Sequence, residues 1–384
     1  MQGARSNPDA IVERAIARTG ETAFHSESFR DGLSVLLSDL DRHGALRPAA
    51  RERLEDAAVG FLANRLQVDA WIRANPAVTD APVSRPVFVM GMPRTGTTLL
   101  SNLLAQDPAR RSLLNWEAIA TAPPAAPGQL RSDPRAAARQ ARLDRASSAF
   151  PDLAPIHDEI AAGPCECHTI HKQDMRALWW DAQASLPTYA DFILGCDMTP
   201  AYRLQKRYLQ VLQSTNAGTW QLKLPSHAIH IRALLSVFPD ARLVWTHRDP
   251  LKALGSLLSL ISTVSGLNVE VDPVFLKWNY LHQAAEHLRR PMAIKRELGA
   301  ERINDVYYAE LVRDPITTVR RLYVQLGDEL SDEAEAGMRT WLVDNPQGRR
   351  GRHSYSLAQY GLEVEEVRAR FGDYLTDYAV EPEG

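Results

Sequence analysis

From Pro86 to Thr98 the sequence reads Pro-Val-Phe-Val-Met-Gly-Met-Pro-Arg-Thr-Gly-Thr-Thr, and Leu99, Leu100, Leu103 and Leu104 follow at helical spacing. An apolar, β-branched stretch therefore runs into a turn carrying Gly91 and Gly96, and an amphipathic helix starts at once. That order builds an anion nest. Glycine lets the backbone curl so that successive N–H groups point inward. The unpaired amides and the positive dipole end of the new helix face the same point. Thr97 and Thr98 add hydroxyl donors. The spacing matches G-x-x-x-x-G-K-[ST] at Gly91, Gly96 and Thr98, but Thr97 stands where that motif places the lysine that neutralises a nucleoside triphosphate. The apolar run Arg242 to Thr246 ends in His247-Arg248, basic where a magnesium site needs a carboxylate. The nest suits a smaller anionic group, held without a metal.

A second basic point is His247-Arg248-Asp249-Pro250. Asp249 suits a helix N-cap and Pro250 the first helical position, but Arg248 has no such structural task. A third lies in Gly348-Arg349-Arg350-Gly351-Arg352-His353. The run Cys165-Glu166-Cys167-His168, with His171 beyond, offers zinc-type ligands. Its spacing matches no common finger, and a helix would spread those ligands over several faces. It reads as pocket lining or as plain packing, and no metal site is expected.

Pro93-Arg94-Thr95-Gly96-Thr97-Thr98 is similar to the 5′-phosphosulfate loop of sulfotransferases that use 3′-phosphoadenosine 5′-phosphosulfate (PAPS). It resembles in particular the bacterial branch whose loop reads Pro-Arg-x-Gly-Thr-Thr, related to tyrosylprotein sulfotransferases. The resemblance runs over roughly residues 86 to 380. It implies that residues 94 to 98 (Arg94, Thr95, Gly96, Thr97 and Thr98) hold the 5′ end of PAPS, the co-substrate. Arg248 and a serine eight residues on, Ser256, would grip the 3′-phosphate. Arg350 and Arg352 would close over it, although the better-known Arg-Lys-Gly pattern is absent. Tyr307-Tyr308-Ala309-Glu310-Leu311, then Asp314-Pro315, resembles the family's Tyr-Glu-Asp-Leu segment and implies that Tyr308 lies near the adenine.

For the chemistry, the resemblance implies a glutamate general base at Glu117, in Asn115-Trp116-Glu117. Leu222-Lys223-Leu224-Pro225-Ser226-His227 resembles the family's Lys-x-Pro strand end, and histidine is the base in the cytosolic enzymes, so His227 is a second candidate. Ser226 is expected to cap the following helix. Glu166 and His168 stand third. Lys223 would stabilise the bridging oxygen, and Arg94 the transferring sulfonate through a planar guanidinium. The implied reaction is in-line transfer of a sulfonate from PAPS to a hydroxyl of a small or lipid-like acceptor. Two other readings remain open: a P-loop kinase, and a PAPS-binding relative that is non-catalytic or repurposed.

These residues need a scaffold. Strands are expected at Val87 to Met90, Trp220 to Leu224, Arg242 to Thr246 and Arg302 to Tyr307, alternating with helical patterns, which is how a parallel α/β sheet reads. The fold expected is P-loop-type α/β, a parallel sheet of four or five strands flanked by helices. Residues 1–80 read as a helical N-terminal extension, with Leu33, Leu36, Leu37 and Leu40 at helical spacing and a linker at Pro76, Pro82 and Pro86. Residues 81–384 would form the main domain, with 120–215 a helical insertion lining the acceptor pocket. The segment Tyr355 to Tyr374 reads as a docking helix.

Composition narrows the partners. Lys and Arg total 44 against 47 Asp and Glu, a net charge of −3, so no nucleic-acid partner is expected. Three cysteines in 384 residues argue against a secreted disulfide framework. Asp9 and Glu13 interrupt any signal-like pattern, and no run of about 18 apolar residues spans a membrane. A cytoplasmic protein is expected, its oligomeric state undetermined by the sequence.

Overall fold

A computed structural model of the chain describes residues 7–149, 159–346 and 357–383. Five parallel strands form one sheet in the order β2-β3-β1-β4-β5: β1 (Val87–Gly91), β2 (Arg110–Ser112), β3 (Thr219–Lys223), β4 (Arg242–His247) and β5 (Ile303–Tyr307). β1 sits between β3 and β4, with Val87 opposite both Gln221 and Arg242. All five residues of β1 are buried. Phe88 and Met90 pack into a helical layer on one face, while Val87 and Val89 pack into a layer on the other. A parallel strand covered on both faces reads as a continuous apolar run, and this explains the texture of the segment.

The four expected strands are present. β2 was not expected: it is an edge strand of three residues, Arg110-Arg111-Ser112, without an apolar or alternating pattern. Because the sheet is parallel, every strand delivers its following residue to the same edge. Chain order moves from β1 out to β2 and β3 on one side and to β4 and β5 on the other, so the edge opens beside β1, where open α/β sheets place their ligands.

Helices Pro8–Thr19, Phe29–Arg42 and Pro48–Ala74 fill the N-terminal region. Leu33, Leu36, Leu37 and Leu40 are all buried, and they share a core cluster with Leu62, Met175, Trp180 and Tyr189. A buried ion pair, Arg65 to Asp174 at 2.5 Å, ties that cluster to the central segment. Near the other end, helices Val364–Arg370 and Gly372–Asp377 bury Val367 and Tyr374, and the Tyr374 hydroxyl lies 3.0 Å from His247 Nδ1. No described helix is long and apolar enough to cross a membrane.

Candidate functional site

The turn after β1 is forced by its contacts. A Cβ on Gly91, at φ +147°, would lie 2.6 Å from Thr246 Oγ1 and 2.8 Å from Thr246 O on β4. The Thr95 hydroxyl turns inward: its Oγ1 lies 2.6 Å from Met92 O and 2.5 Å from Thr246 Oγ1. Thr95 thus latches the loop to the sheet. Arg94 adopts φ +71°, uncommon for a residue with a side chain. Gly96, at φ +92°, caps helix Thr97–Leu104, and a Cβ there would sit 2.8 Å from Tyr308 Cδ2. The first-turn amides of that helix point out of the sheet edge.

Around the loop a basic group converges. Arg94 Nε donates to Ser256 Oγ at 3.0 Å, and Arg248 Nη1 donates to Arg94 O at 2.9 Å. The Arg248 guanidinium lies 4.1 Å over the Tyr308 ring. Arg248 and Ser256 belong to the end of β4 and to the helix Pro250–Gly266, whose N-cap is Asp249, accepting from Leu251 N at 2.9 Å. Arg94 joins Arg248 and Ser256, accepting from the first at its backbone oxygen and donating to the second from Nε. Arg350 and Arg352 lie outside the described residues.

On the other side of the loop, Lys223 ends β3. It is 5% exposed, and its Nζ donates to Glu166 Oε1 at 2.8 Å and Thr98 Oγ1 at 3.3 Å. Glu166 also meets His168 Nδ1 at 2.9 Å. Burial works against ionisation of Glu166, yet Lys223 and His168 together hold its carboxyl well below the ordinary value. Burial, helped by Lys172 nearby, pushes the His168 imidazole down. Among the described residues no cluster of three His, Cys, Asp or Glu is arranged to hold a metal. Cys165, Cys167 and Cys196 are free thiols.

Glu117 follows β2 on the helix Asn115–Ile119 and is completely buried. Its Oε1 accepts from Arg111 Nη2 at 2.5 Å, while Oε2 has no hydrogen-bond partner among the described residues. Burial raises its pKa, and the Arg111 charge offsets this only in part. Among the described residues Glu117 hydrogen-bonds to neither the Arg94 group nor the Lys223 group. Sequence reasoning missed Arg111, for a three-residue polar strand gives no pattern to read.

His227 is placed differently. It is fully buried, its Nδ1 lies 2.8 Å from the Tyr202 hydroxyl, and its ring meets Phe88 edge-on at 5.0 Å. Burial drives its pKa well down. Its hydrogen bond to Tyr202 joins it to neither the Arg94 group nor the Lys223 group, and its Nε2 is buried with no hydrogen-bond partner among the described residues. Ser226 makes no cap either: Pro225–Ile229 is a 3-10 turn entered from Leu224, without a side-chain cap.

Known proteins match this arrangement. A family profile described as Sulfotransferase family covers residues 86–332. The omega-hydroxy-beta-dihydromenaquinone-9 sulfotransferases Stf3 of Mycobacterium bovis and Mycobacterium tuberculosis are each 23% identical over 316 residues, 76% of this chain and 74% of theirs. The crystal structure of sulfotransferase STF9 from Mycobacterium avium superposes with a TM-score of 0.93 at 42% identity, covering 100% of this chain and 99% of that one. Sulfotransferase STF1 from Mycobacterium tuberculosis H37Rv gives 0.86 at 30% identity, over 96% and 99%. On this profile and these structural matches, the chain belongs to the sulfotransferase family.

Proposed function

We propose that the protein transfers the sulfonate of PAPS to a hydroxyl of a small or lipid-like acceptor, with Glu117 as general base. The observation that supports this best is the linkage of Gly96, Arg94, Ser256, Arg248 and Tyr308 in one set of contacts at the sheet edge. A phosphosulfate donor needs two anion grips separated by a nucleoside. The curled amides of residues 94–98 supply one, and the Arg248 fork, turned to a carboxylate through two N–H bonds, has the geometry for the other. PAPS, when bound, would supply the sulfonate by cleavage of its phosphosulfate anhydride bond, with the 5′-phosphate of adenosine 3′,5′-bisphosphate as leaving group.

The remaining work falls to the chain. Sulfuryl transfer resembles phosphoryl transfer, in which positioning and electrostatics dominate. Arg94 neutralises the transferring group. Lys223, already turned to Thr98 on the loop, stabilises the bridging oxygen. Glu117 takes the acceptor proton on Oε2, the oxygen left over from the Arg111 pair, and its raised pKa brings it nearer the operating pH. The acceptor is assigned to the seam between the N-terminal helices and the 120–215 segment, whose aromatic side chains include Phe61 and Trp179, 5.0 and 4.3 Å from Lys172 Nζ. An apolar or isoprenoid hydroxyl compound suits such walls, and the Stf3 relatives are named for a lipid of that class. Free thiols suit the cytoplasm.

Calorimetry with adenosine 3′,5′-bisphosphate in EDTA, set beside ATP with magnesium, tests the donor. The bisphosphate should bind without metal and ATP only weakly; the reverse order would make the protein a P-loop kinase. Mass spectrometry of products from labelled PAPS with phenols, sterols, sugars and prenyl alcohols then identifies the acceptor class. Binding without transfer to any of them would favour a non-catalytic relative.

A further inference from the structure

Arg248 is engaged on two edges at once. Nη1 donates to Arg94 O, while Nε and Nη2 fork onto Glu383 Oε1 and Oε2 at 2.7 and 2.8 Å. Glu383 lies 135 residues further along the chain, and its own backbone holds it there. Its amide donates to Asp249 Oδ2 at 2.9 Å, and Val380, three residues earlier, is buried. Asp249 thus caps one helix and anchors this segment, which brings the Glu383 carboxylate to the arginine beside it. Two parallel N–H bonds from one guanidinium edge are the pattern that carboxylates and phosphates share. One edge cannot serve both anions together. The side chains of Arg248 and Glu383 are 18% and 32% exposed, so the pair is firm enough to form and weak enough to be displaced.

We infer that Glu383 is a built-in competitor for the 3′-phosphate, filling the Arg248 fork between turnovers and lowering the affinity of every ligand that carries this group. The inference rests on the reading of Arg248 under the proposed function. A ligand that must displace Glu383 sees its affinity reduced by the fraction of molecules with the fork open. The desulfonated product carries the same 3′-phosphate, so returning Glu383 also hastens its departure. Adenosine 5′-monophosphate has no 3′-phosphate, leaves the fork shut and escapes the competition.

Calorimetry on the full chain with adenosine 3′,5′-bisphosphate and with adenosine 5′-monophosphate distinguishes the outcomes. In Glu383→Gln and Glu383→Ala the bisphosphate should bind about 3- to 10-fold tighter, the range of a partly exposed forked ion pair, with the monophosphate unchanged. In Arg248→Ala the preference for bisphosphate over monophosphate should collapse. If both Glu383 variants bind the bisphosphate no tighter than wild type while Arg248→Ala still loses the preference, the competitor role is overturned and Arg248 keeps its assignment. If the preference survives in Arg248→Ala, the assignment of Arg248 falls, and the inference with it.

Discussion

Replacing Glu117 with Gln separates catalysis from packing at one buried position. Glu117 Oε1 accepts from Arg111 at 2.5 Å, and Oε2 is buried without a hydrogen-bond partner among the described residues. In Glu117→Gln the amide oxygen keeps the Arg111 contact and the NH2 group takes the place of Oε2, where it can accept no proton. Loss of a positioned base costs about 10²- to 10⁴-fold in rate, or about 2.7–5.4 kcal/mol of barrier. A structural cost comes separately, since the buried Arg111 guanidinium loses its anionic partner, worth about 1–3 kcal/mol of folding stability. Thermal unfolding and bisphosphate calorimetry therefore accompany the kinetics, and both should show a folded, nucleotide-competent protein. The pH profile adds an independent readout. Burial raises the Glu117 pKa, and the carboxylate is the active form, so the wild-type single-turnover rate should fall as pH drops through a midpoint above the ordinary value of about 4.3. That acid limb should vanish from the residual rate of Glu117→Gln. A variant within tenfold of wild type that keeps the same acid limb would refute the assignment, and would leave Glu117 as nothing more than the counter-ion of Arg111.

Two further tests probe the scaffold. Gly96→Ala puts a methyl 2.8 Å from Tyr308 Cδ2 at φ +92°, a conformation costing about 1–3 kcal/mol outside glycine. Urea denaturation should register that loss, and displacement of Tyr308 beneath Arg248 should weaken bisphosphate binding about tenfold or more; unaltered binding would detach the loop from the nucleotide. Stability should also fall in mild acid. Burial holds His171 and His287 down to about 4, so their contribution is complete above the ordinary value of 6.5 and is lost as pH falls towards 4, about 2 kcal/mol each at pH 5. Asp181, pushed up to about 6 by burial, works in the opposite sense and returns about 1 kcal/mol by pH 5. Between pH 7 and pH 5 these three groups together remove roughly 2–3 kcal/mol, and His227 and His230, also held down by burial, act in the same sense; equal urea midpoints at the two pH values would contradict it.

What the sequence disclosed, and what it withheld, follows from the range of each constraint. The positive φ angles at Gly91 and Gly96 and the Asp249–Pro250 cap are local demands that residue types alone announce, although the contacts with Thr246 and Tyr308 that also require those glycines are distant. Strands buried on both faces announce themselves through runs such as Val-Phe-Val-Met. Pairings made by topology leave no local trace. Lys223 meets Glu166 across 57 residues and Arg248 meets Glu383 across 135, and neither partner carries a mark of the other. His227 shows the same limit in reverse. Its motif resembled a catalytic strand end, but a motif does not fix which way a 3-10 turn points its side chain, and here the ring turns inward to Phe88 and Tyr202.

Parallel topology nevertheless converts local signals into a shared location. Once the strands are read and taken as parallel, the residue after each must reach one edge, whatever the intervening helices do. The loop after β1, Lys223 at the end of β3, Arg248 after β4 and Tyr308 after β5 all obey that rule. Glu117 obeys it too, five residues beyond β2, but β2 had no pattern by which to be recognised. Glu117 rests on resemblance alone, as do Ser256, Tyr308, Arg350 and Arg352, whereas the loop residues 94–98 and Arg248 have physical grounds as well. The distinction sets the order of experiments: bisphosphate binding tests what topology and charge support together, and Glu117→Gln tests the assignment whose supporting strand the sequence left unmarked.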